Sequence, residues 1–210
     1  GERGPEEGTQ KEQGSMTTEL HPLGFFLPEN TRLLMLGSFP PPKARWSMDF
    51  YYPNIQNDMW RILGLIFYGN KDAFLRDKKA FSEEKAKAFC REKRIGIGDT
   101  AMEVIRLKAN ASDKFLEVVR PIDPEKVLSQ IPECVAIVVT GQKAMDTLLS
   151  VLPGTEEPKV GSSTEFTCMG RRMRLFRMPS SSRAYPRPLE EKAAIYRGMF
   201  EELGILSRAI

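Results

Sequence analysis

The segment Cys134–Thr140 (Cys-Val-Ala-Ile-Val-Val-Thr) constrains the fold more than any other part of the sequence. It is a continuous apolar run that stops at Gly141, and a helical pattern follows over residues 142–151. A strand that is apolar on both faces has to be covered on both faces, as in the centre of a parallel sheet. Similar short runs occur at Arg32–Gly37 and Arg94–Gly98. The sequence therefore predicts an α/β fold with a mainly parallel sheet between layers of helices.

Three loops are expected to meet at one edge of this sheet. Residues 164–178 alternate between apolar and polar types around Gly170, which predicts a hairpin or a fourth strand ending at Met178. Helical spacing predicts helices over residues 57–68, 71–78, 82–93, 101–108 and 188–203. Ligands of such sheets bind beyond the carboxyl ends of the strands. The loops in that position span residues 38–56, 99–100 and 179–187.

Residues 1–20 form a polar segment that differs from the rest of the chain. They hold five acidic and two basic residues and few apolar ones. Such a composition cannot bury enough apolar surface to order the backbone. We therefore interpret residues 1–20 as a disordered acidic tail and residues 21–210, which have the length of one domain, as the folded unit.

Cysteine, histidine and apolar patterns exclude several classes of protein. Three widely separated cysteines, Cys90, Cys134 and Cys168, cannot form a disulfide framework, a zinc ribbon or a four-thiolate iron–sulfur site. A single histidine, His21, argues against a histidine-built metal site and against a catalytic triad. No apolar run approaches the roughly 20 residues that cross a bilayer, and the N-terminus lacks a signal-peptide pattern. We therefore expect a soluble, metal-free protein of a reducing compartment, the cytoplasm, with no membrane partner.

Positive charge is concentrated towards the C-terminus. Residues 171–197 hold seven arginines and one lysine against two glutamates. A local excess built from arginine suits a phosphate-rich partner, although a charge cluster alone is also typical of a solvated face. Within this cluster, Arg172 and Arg183 are the candidate phosphate contacts.

The three loops carry side chains suited to a base that is rotated out of DNA. Phe39 and Tyr52 offer flat apolar surfaces, and Asp99 offers a carboxylate. The hydroxyl and free backbone N–H groups of Ser180–Ser182 can hold a phosphate, and Ser38 in the first loop is a further candidate DNA contact. Each loop alone could be a structural turn whose aromatics belong to the core. Three loops at one sheet edge favour a pocket for an extruded base.

These segments resemble the motifs of the uracil-DNA glycosylase superfamily. The resemblance rests on Gly37-Ser-Phe-Pro40, Tyr51-Tyr52, Asn57-Asp-Met-Trp60 and Pro179-Ser-Ser-Ser182. It extends from about His21 to the last helix and is strongest to the branch that includes hypoxanthine-DNA glycosylases, with mismatch-specific uracil glycosylases more distant. It implies a three-layer α/β/α sandwich around a four-stranded parallel sheet, no metal or cofactor, and DNA with a damaged or mismatched base as the partner.

The resemblance also implies roles for single residues. Tyr52 matches the aromatic residue that stacks on the flipped base, and Asp99 matches the residue that reads the base edge. Ser181, Ser182 and Arg183 match the loop that enters the DNA stack. Because an ionised Asp only accepts hydrogen bonds, Asp99 predicts a preference for a base edge that presents N–H donors. The alternative for Asp99 is a cap on the helix predicted to follow it.

Catalysis would depend on different groups from those of most relatives. Phe39 and Met178 stand where many relatives carry polar residues. The resemblance to the hypoxanthine branch points to Asn57 as an amide that positions water or contacts the transition state, and the alternative is a helix N-cap. Asp49 is a weaker candidate for offsetting positive charge on the sugar.

The predicted reaction is hydrolysis of an N-glycosidic bond after base flipping, which leaves an abasic site and initiates base excision repair. We expect the enzyme to be a monomer. One alternative is a catalytically silent DNA- or nucleotide-binding module with the same fold. The other is an enzyme acting on free nucleosides, which the arginine cluster disfavours because a free nucleoside needs no extended phosphate track.

Overall fold

The structure, a computed structural model, describes residues 17–108 and 115–208. The strands within these residues are β1 (Thr18–Leu20), β2 (Leu33–Gly37), β3 (Leu75–Asp77), β4 (Ala80–Phe81), β5 (Ile95–Asp99), β6 (Ala101–Arg106), β7 (Leu116–Pro121), β8 (Ala136–Thr140), β9 (Ser163–Cys168) and β10 (Arg171–Met178). The helices are α1 (Met59–Tyr68), α2 (Glu83–Lys93), α3 (Pro124–Ser129), α4 (Gln142–Leu149) and α5 (Leu189–Glu202), with a 3-10 helix at Lys43–Arg45. None of these described helices is long and apolar enough to span a membrane.

The central sheet has five strands in the order β5-β2-β8-β10-β9. The first four are parallel, and β9 pairs antiparallel with β10 at one edge. The expectation of a four-stranded parallel sheet is therefore right for the centre and incomplete at that edge. Residues 163–178 form a hairpin, which turns at Met169 and Gly170 with φ values of 52° and 74°. The hairpin supplies both the fourth parallel strand and an additional antiparallel one.

Helices cover both faces of this sheet. Met35 and Val138 face a cluster built with α1, α2 and α5. Leu36 and Val139, the next residues along the same strands, face a second cluster built with α3 and α4. All five residues of β2 and of β8 are buried, because side chains pointing to either face meet a helical layer. This is a three-layer α/β/α arrangement.

Local signals set the ends of several helices. The Ser82 hydroxyl accepts a hydrogen bond from the Lys85 backbone N–H at the start of α2, and Asp123 caps α3 in the same way. At the other end of α1, Gly69 adopts a left-handed conformation with φ 62°. Glycine adopts this conformation without a steric penalty, so the chain leaves the helix there.

A second sheet, with the order β1-β6-β7, was not predicted. We expected a helix around Ala101–Lys108, but Ala101–Arg106 form β6 between two antiparallel neighbours. Phe39, Val104 and Leu116 pack in a small cluster beneath this sheet. Cross-strand pairing and this apolar contact outweigh the helical spacing of the segment.

The structure corrects two other predictions, the extent of the acidic tail and the helix over residues 71–78. The segment assigned to the acidic tail includes Thr18–Leu20, which form β1 because they pair with β6. The ordered chain therefore starts before His21, and residues 1–16 lie outside the described residues. The helix expected over residues 71–78 is also wrong. Leu75–Asp77 pair with β4 through a turn in which the Lys79 N–H donates to the Asp77 carboxylate.

Burial makes the three cysteines poor nucleophiles. It raises the pKa of Cys90 to about 12 and that of Cys134 to about 11, and it raises the pKa of Cys168 as well. Since the thiolate is the reactive form, we expect the folded protein to react slowly with a thiol reagent such as DTNB at pH 8. In guanidinium chloride all three should react within the mixing time. Rapid labelling of the folded protein would contradict the burial of these side chains.

Candidate functional site

A cleft of about 560 Å³ opens at the carboxyl ends of the central parallel strands. Its lining comes from the ends of β2, β5 and β8 and from the loops that follow β2 and β10. The predicted site residues that line it are Ser38, Phe39, Tyr52, Asn57, Asp99, Ser180, Ser181, Ser182 and Arg183. The three loops that were expected to meet at this edge therefore do meet there.

Two of the predicted site residues lie elsewhere. Asp49 is exposed in the loop before Tyr51 and is not part of the cleft lining formed by the described residues. Arg172 lies near the amino end of β10, six residues before Met178, which corresponds to about 20 Å of extended strand. Its side chain is 84% exposed and pairs with Glu165 of the hairpin. The structure thus separates both residues from the cleft.

The arginines of residues 171–197 do not form one surface. The Arg171 guanidinium donates to backbone carbonyl groups at the end of α3 and in the turn that follows. Arg174 pairs with Glu202, and Arg177 pairs with Glu157. A strand separates successive residues by about 3.3 Å and alternates their faces, so charges that are close in sequence are spread along the sheet. Of the seven, Arg183 lines the described cleft.

Arg45 also lines the cleft, and the sequence analysis did not select it. It ends the short 3-10 helix in the loop after β2 and is exposed. Arg45 lies outside the arginine-rich residues 171–197, so its position in the first loop was the only feature of the sequence that could have indicated it. Arg45 and Arg183 therefore bring two guanidinium groups from separate loops to one opening.

The floor of the cleft is built around Gly37, the last residue of β2. A Cβ atom at this position would lie 2.9 Å from Asp99 Oδ1 and 3.2 Å from the Tyr52 hydroxyl. The Tyr52 hydroxyl in turn lies 3.3 Å from Thr140 Oγ1. Tyr52 reaches this position with φ 53°, a left-handed conformation that is uncommon for a bulky residue. The absence of a side chain at Gly37 leaves one carboxylate oxygen and two hydroxyl groups facing the floor.

The Asp99 carboxylate has a partner that the sequence analysis missed. His21 Nε2 lies 2.7 Å from Asp99 Oδ2, and the two side chains are 5% and 7% exposed. The helix-cap alternative for Asp99 is wrong, because a strand and not a helix begins at Ala101. The two partners are 78 residues apart in the chain, and no spacing rule connects them.

Tyr51 supports the wall of the cleft beside this pair. Its hydroxyl donates to the Gly24 carbonyl at 3.0 Å. Burial, and then the negative charge of Asp99 and the neighbouring Tyr52, raise the pKa of Tyr51 far above its usual value. Tyr51 therefore stays a neutral phenol and acts as an apolar wall.

Asn57 lies directly before Asp58, the N-cap residue of α1, so the N-cap alternative for Asn57 is wrong. Its Oδ1 accepts a hydrogen bond of 2.9 Å from the Met59 backbone N–H and closes a turn that leads into α1. Because a backbone N–H only donates, this bond fixes the orientation of the amide. The Nδ2 group has no hydrogen-bond partner among the described residues, and Asn57 lines the cleft. The amide is therefore a candidate N–H donor towards a ligand.

The loop after β10 is tied to the start of α1. Asp58 donates its backbone N–H to the Ser181 carbonyl at 2.9 Å. The Asp58 carboxylate, which is largely buried, pairs with Arg61 at 3.0 Å and with Arg183 at 3.2 Å. The Arg183 side chain remains 51% exposed, so it faces the opening while one edge of it is held.

The same loop rests on a buried cation. Lys192 is 1% exposed, and its Nζ donates to the Ser182 carbonyl at 2.9 Å. Burial lowers the pKa of Lys192, and the charge of Asp58 opposes this lowering. Among the N–H groups of Ser180–Ser182 that were expected to be free, that of Ser182 donates instead to the Ser180 hydroxyl oxygen. The Ala184 N–H donates to the Ser182 hydroxyl oxygen. The serine hydroxyl protons, rather than these N–H groups, remain as donors towards a ligand.

No group of three or more His, Cys, Asp or Glu residues within 17–108 and 115–208 is arranged to hold a metal ion. The polar atoms of the cleft are an acceptor carboxylate, hydroxyl groups, an amide donor and two guanidinium groups. Such a set can recognise the edge of a planar polar ring and an attached phosphate.

The sequence matches no protein-family model and no curated protein sequence. Among solved structures, the fold is similar to the solution NMR structure of a “putative uracil DNA glycosylase” from Methanosarcina acetivorans. The two share 25% sequence identity with a TM-score of 0.60, and the match covers 86% of this chain and 96% of that chain. The chain therefore has a uracil-DNA-glycosylase-like fold.

Proposed function

We propose that this protein is a monofunctional DNA glycosylase that removes a deaminated or mismatched base, such as uracil, hypoxanthine or xanthine, from DNA. The observation that carries the proposal is the meeting of an aromatic wall, an acceptor carboxylate and an amide donor in one cleft. The similarity to the archaeal “putative uracil DNA glycosylase” supports it. The cleft volume of about 560 Å³ is within the usual range for small-molecule sites.

The floor of the cleft favours a base edge with an N–H group beside a carbonyl. Ionised Asp99 can only accept. One proton of the Tyr52 and Thr140 hydroxyl groups is used in the hydrogen bond between them, so this pair keeps at most one donor for a base. Hypoxanthine presents its ring N–H between one carbonyl and a C–H group, whereas uracil presents its N–H between two carbonyls. The Asp99 carboxylate is repelled less by the edge of hypoxanthine, which has one carbonyl beside its N–H, than by the edge of uracil, which has two. We therefore place the enzyme with the hypoxanthine-DNA glycosylase-like branch of the superfamily.

The chemistry requires stabilisation of separated charges. As the bond from the sugar to the base breaks, its electron pair leaves with the base and positive charge develops on the sugar. The Asn57 Nδ2–H group can donate to an acceptor atom of the departing base. The DNA phosphates offset the charge on the sugar, since Asp99 is used at the edge of the base and Asp49 lies outside the cleft lining formed by the described residues. Water then adds hydroxide to the sugar and supplies the proton that neutralises the base.

Asn57 acts in this scheme as a donor and not as a base. An amide oxygen is too weak a base to take a proton from the attacking water, and one of its two lone pairs already accepts the Met59 N–H. The amide can orient that water by donating from Nδ2–H or by accepting at the second lone pair of Oδ1.

DNA is held at the opening of the cleft. Arg45 and Arg183 can each contact a phosphate, and the hydroxyl groups of Ser38 and Ser180–Ser182 add neutral donors. The proposed partner is DNA that carries the target base, and the proposed binding form of the protein is a monomer.

One experiment tests the proposal directly. The protein is incubated with duplexes that contain uracil, hypoxanthine, xanthine or a G·T mismatch, and with the corresponding free nucleosides, and base release is measured. Release from a duplex, leaving an alkali-labile abasic site, supports a glycosylase. Binding without release would favour the silent DNA-binding module, and release from nucleosides alone would favour a nucleoside hydrolase.

The position of Arg183 predicts a specific effect on DNA binding. If it contacts one phosphate, Arg183→Ala should reduce the slope of log affinity against log salt by about 0.9 and slow base release. Arg172→Ala is the matched control, because this exposed arginine lies at the opposite end of β10. It should leave both quantities unchanged. Equal losses in the two variants would show that DNA follows the whole length of the strand.

A further inference from the structure

His21 lies directly behind the floor of the cleft. Its backbone N–H donates to the Met102 carbonyl at 2.8 Å, immediately after β1. Its ring packs edge-on against Phe39, with centroids 5.3 Å apart, and lies 5.8 Å from the Tyr51 ring. His21 itself is not part of the lining formed by the described residues. The ring is therefore held by residues of the cleft and can act only through them.

The ring can donate to Asp99 in either charge state, because an ionised carboxylate 2.7 Å from Nε2 favours the neutral tautomer that carries its proton there. Nδ1 lies 3.1 Å from the Leu23 backbone nitrogen and 2.6 Å from the Leu23 carbonyl oxygen. A neutral ring with its proton on Nε2 accepts the Leu23 N–H at Nδ1. A ring protonated on both nitrogens donates from Nδ1 to the Leu23 carbonyl. Both forms keep a proton on Nε2, which points to Asp99 Oδ2 at 2.7 Å.

This arrangement fixes the Asp99 carboxylate. Oδ2 is used by His21, and Oδ1 faces the floor beside Gly37. We infer that His21 is a positioning residue that holds Asp99 as a single, oriented acceptor and thereby sets which base the cleft prefers. The inference rests on the proposed glycosylase function and names what determines its specificity.

The same geometry predicts what an amide at this position would do. In the Asp99→Asn variant, the His21 Nε2–H should bind the amide oxygen, which turns the NH₂ group towards the cleft. The floor then presents a donor where it presented an acceptor. Without the His21 Nε2–H donor, the amide can rotate and present either its oxygen or its NH₂ group to the cleft. The change in base preference should therefore be smaller.

The test uses five variants: His21→Gln, His21→Leu, Asp99→Asn and the two double variants. Glutamine at position 21 can keep both hydrogen bonds, since its NH₂ group can donate to Asp99 and its oxygen can accept the Leu23 N–H. Leucine keeps an apolar side chain but loses both bonds. Single-turnover release of hypoxanthine and of uracil is measured for each protein, together with thermal melting.

We expect the variants to differ in the ratio of the hypoxanthine release rate to the uracil release rate, which reports base preference. Asp99→Asn should lower this ratio by about tenfold, and His21→Leu should lower it by about fivefold. His21→Gln should stay within about twofold of the wild type. In the Asp99→Asn background, His21→Leu should raise this ratio part of the way back to the wild-type value. A His21→Leu protein that melts lower but keeps the wild-type ratio would overturn the inference, because a merely structural role lowers both rates together.

A second readout separates this inference from the proposed function. The affinities of free hypoxanthine and free uracil are measured by calorimetry for the same proteins. If the wild type releases no base from any duplex, the glycosylase proposal fails. The ratio of the affinities for hypoxanthine and uracil then tests the role of His21. If this ratio changes among the variants as expected for the release ratio, the inference is supported. An unchanged ratio, or no binding of either base, overturns it.

Discussion

Replacing Asn57 by aspartate should lower single-turnover base release by about 100-fold, while the free energy of unfolding stays within about 1 kcal/mol of the wild type. The substitution keeps an oxygen to accept the Met59 N–H, which lies 2.9 Å from Asn57 Oδ1. It also places a negative charge at the amino end of α1, where the helix dipole favours it. What it removes is the Nδ2–H donor that faces the cleft. The rate therefore falls because the departing base loses a hydrogen bond.

Asn57→Ala is the control for the hydrogen bond from the Met59 N–H. It removes this bond and the Nδ2–H donor together, so it should lose base release and about 1 kcal/mol of folding stability as well. Melting and single-turnover release are measured on the same preparations. If Asn57→Asp releases base at the wild-type rate while Asn57→Ala only melts lower, Asn57 only stabilises the turn before α1 and the donor lies elsewhere.

Gly37→Ala should abolish recognition of the base while leaving most of the affinity for DNA. The added Cβ would lie 2.9 Å from Asp99 Oδ1 and 3.2 Å from the Tyr52 hydroxyl, so the floor has to move or the base cannot reach it. Since a displacement of about 1 Å can cost about 100-fold in rate, we expect a loss of at least about that size. Affinity for undamaged duplex should persist, because phosphate contacts supply it.

A second glycine gives the matched control. A Cβ at Gly198, within α5, would meet no atom within 4 Å. Gly198→Ala should therefore leave base release unchanged and raise stability by about 0.5–1 kcal/mol through helix propensity. The two variants are compared for release of hypoxanthine and for binding to undamaged duplex. Wild-type release by Gly37→Ala would mean that the base does not approach this floor.

The apolar residues at two motif positions now have a structural explanation. Phe39 is 8% exposed and packs with Val104 and Leu116 beneath the second sheet. Met178 is 1% exposed and belongs to the core cluster that contains α1 and α5. Polar side chains there would be buried against apolar surface. The proposed chemistry therefore rests on Asn57 and Asp99, whose polar atoms face the cleft.

Local patterns in the sequence were sufficient to predict the centre of the fold and the edge of the sheet at which the cleft lies. A run such as Ala136–Thr140 is apolar on both faces and is stable only between two helical layers, which left one arrangement. Parallel strands end at the same edge, so the loops bearing Asn57, Asp99 and Ser180–Ser182 could be placed together before any coordinates were known. These conclusions need only local pattern and the geometry of a parallel sheet.

The second sheet, the positions of the arginines and the partner of Asp99 became known only from contacts between distant segments. Ala101–Arg106 carry a pattern compatible with a helix, and pairing with β1 and β7 made them a strand. The arginines of residues 171–197 were spread along β10 because a strand separates what a sequence window groups. His21 met Asp99 across 78 residues because β1 carries it to β6, beside the end of β5. Contacts between distant segments depend on which strands pair, and no local pattern in the sequence encodes that choice.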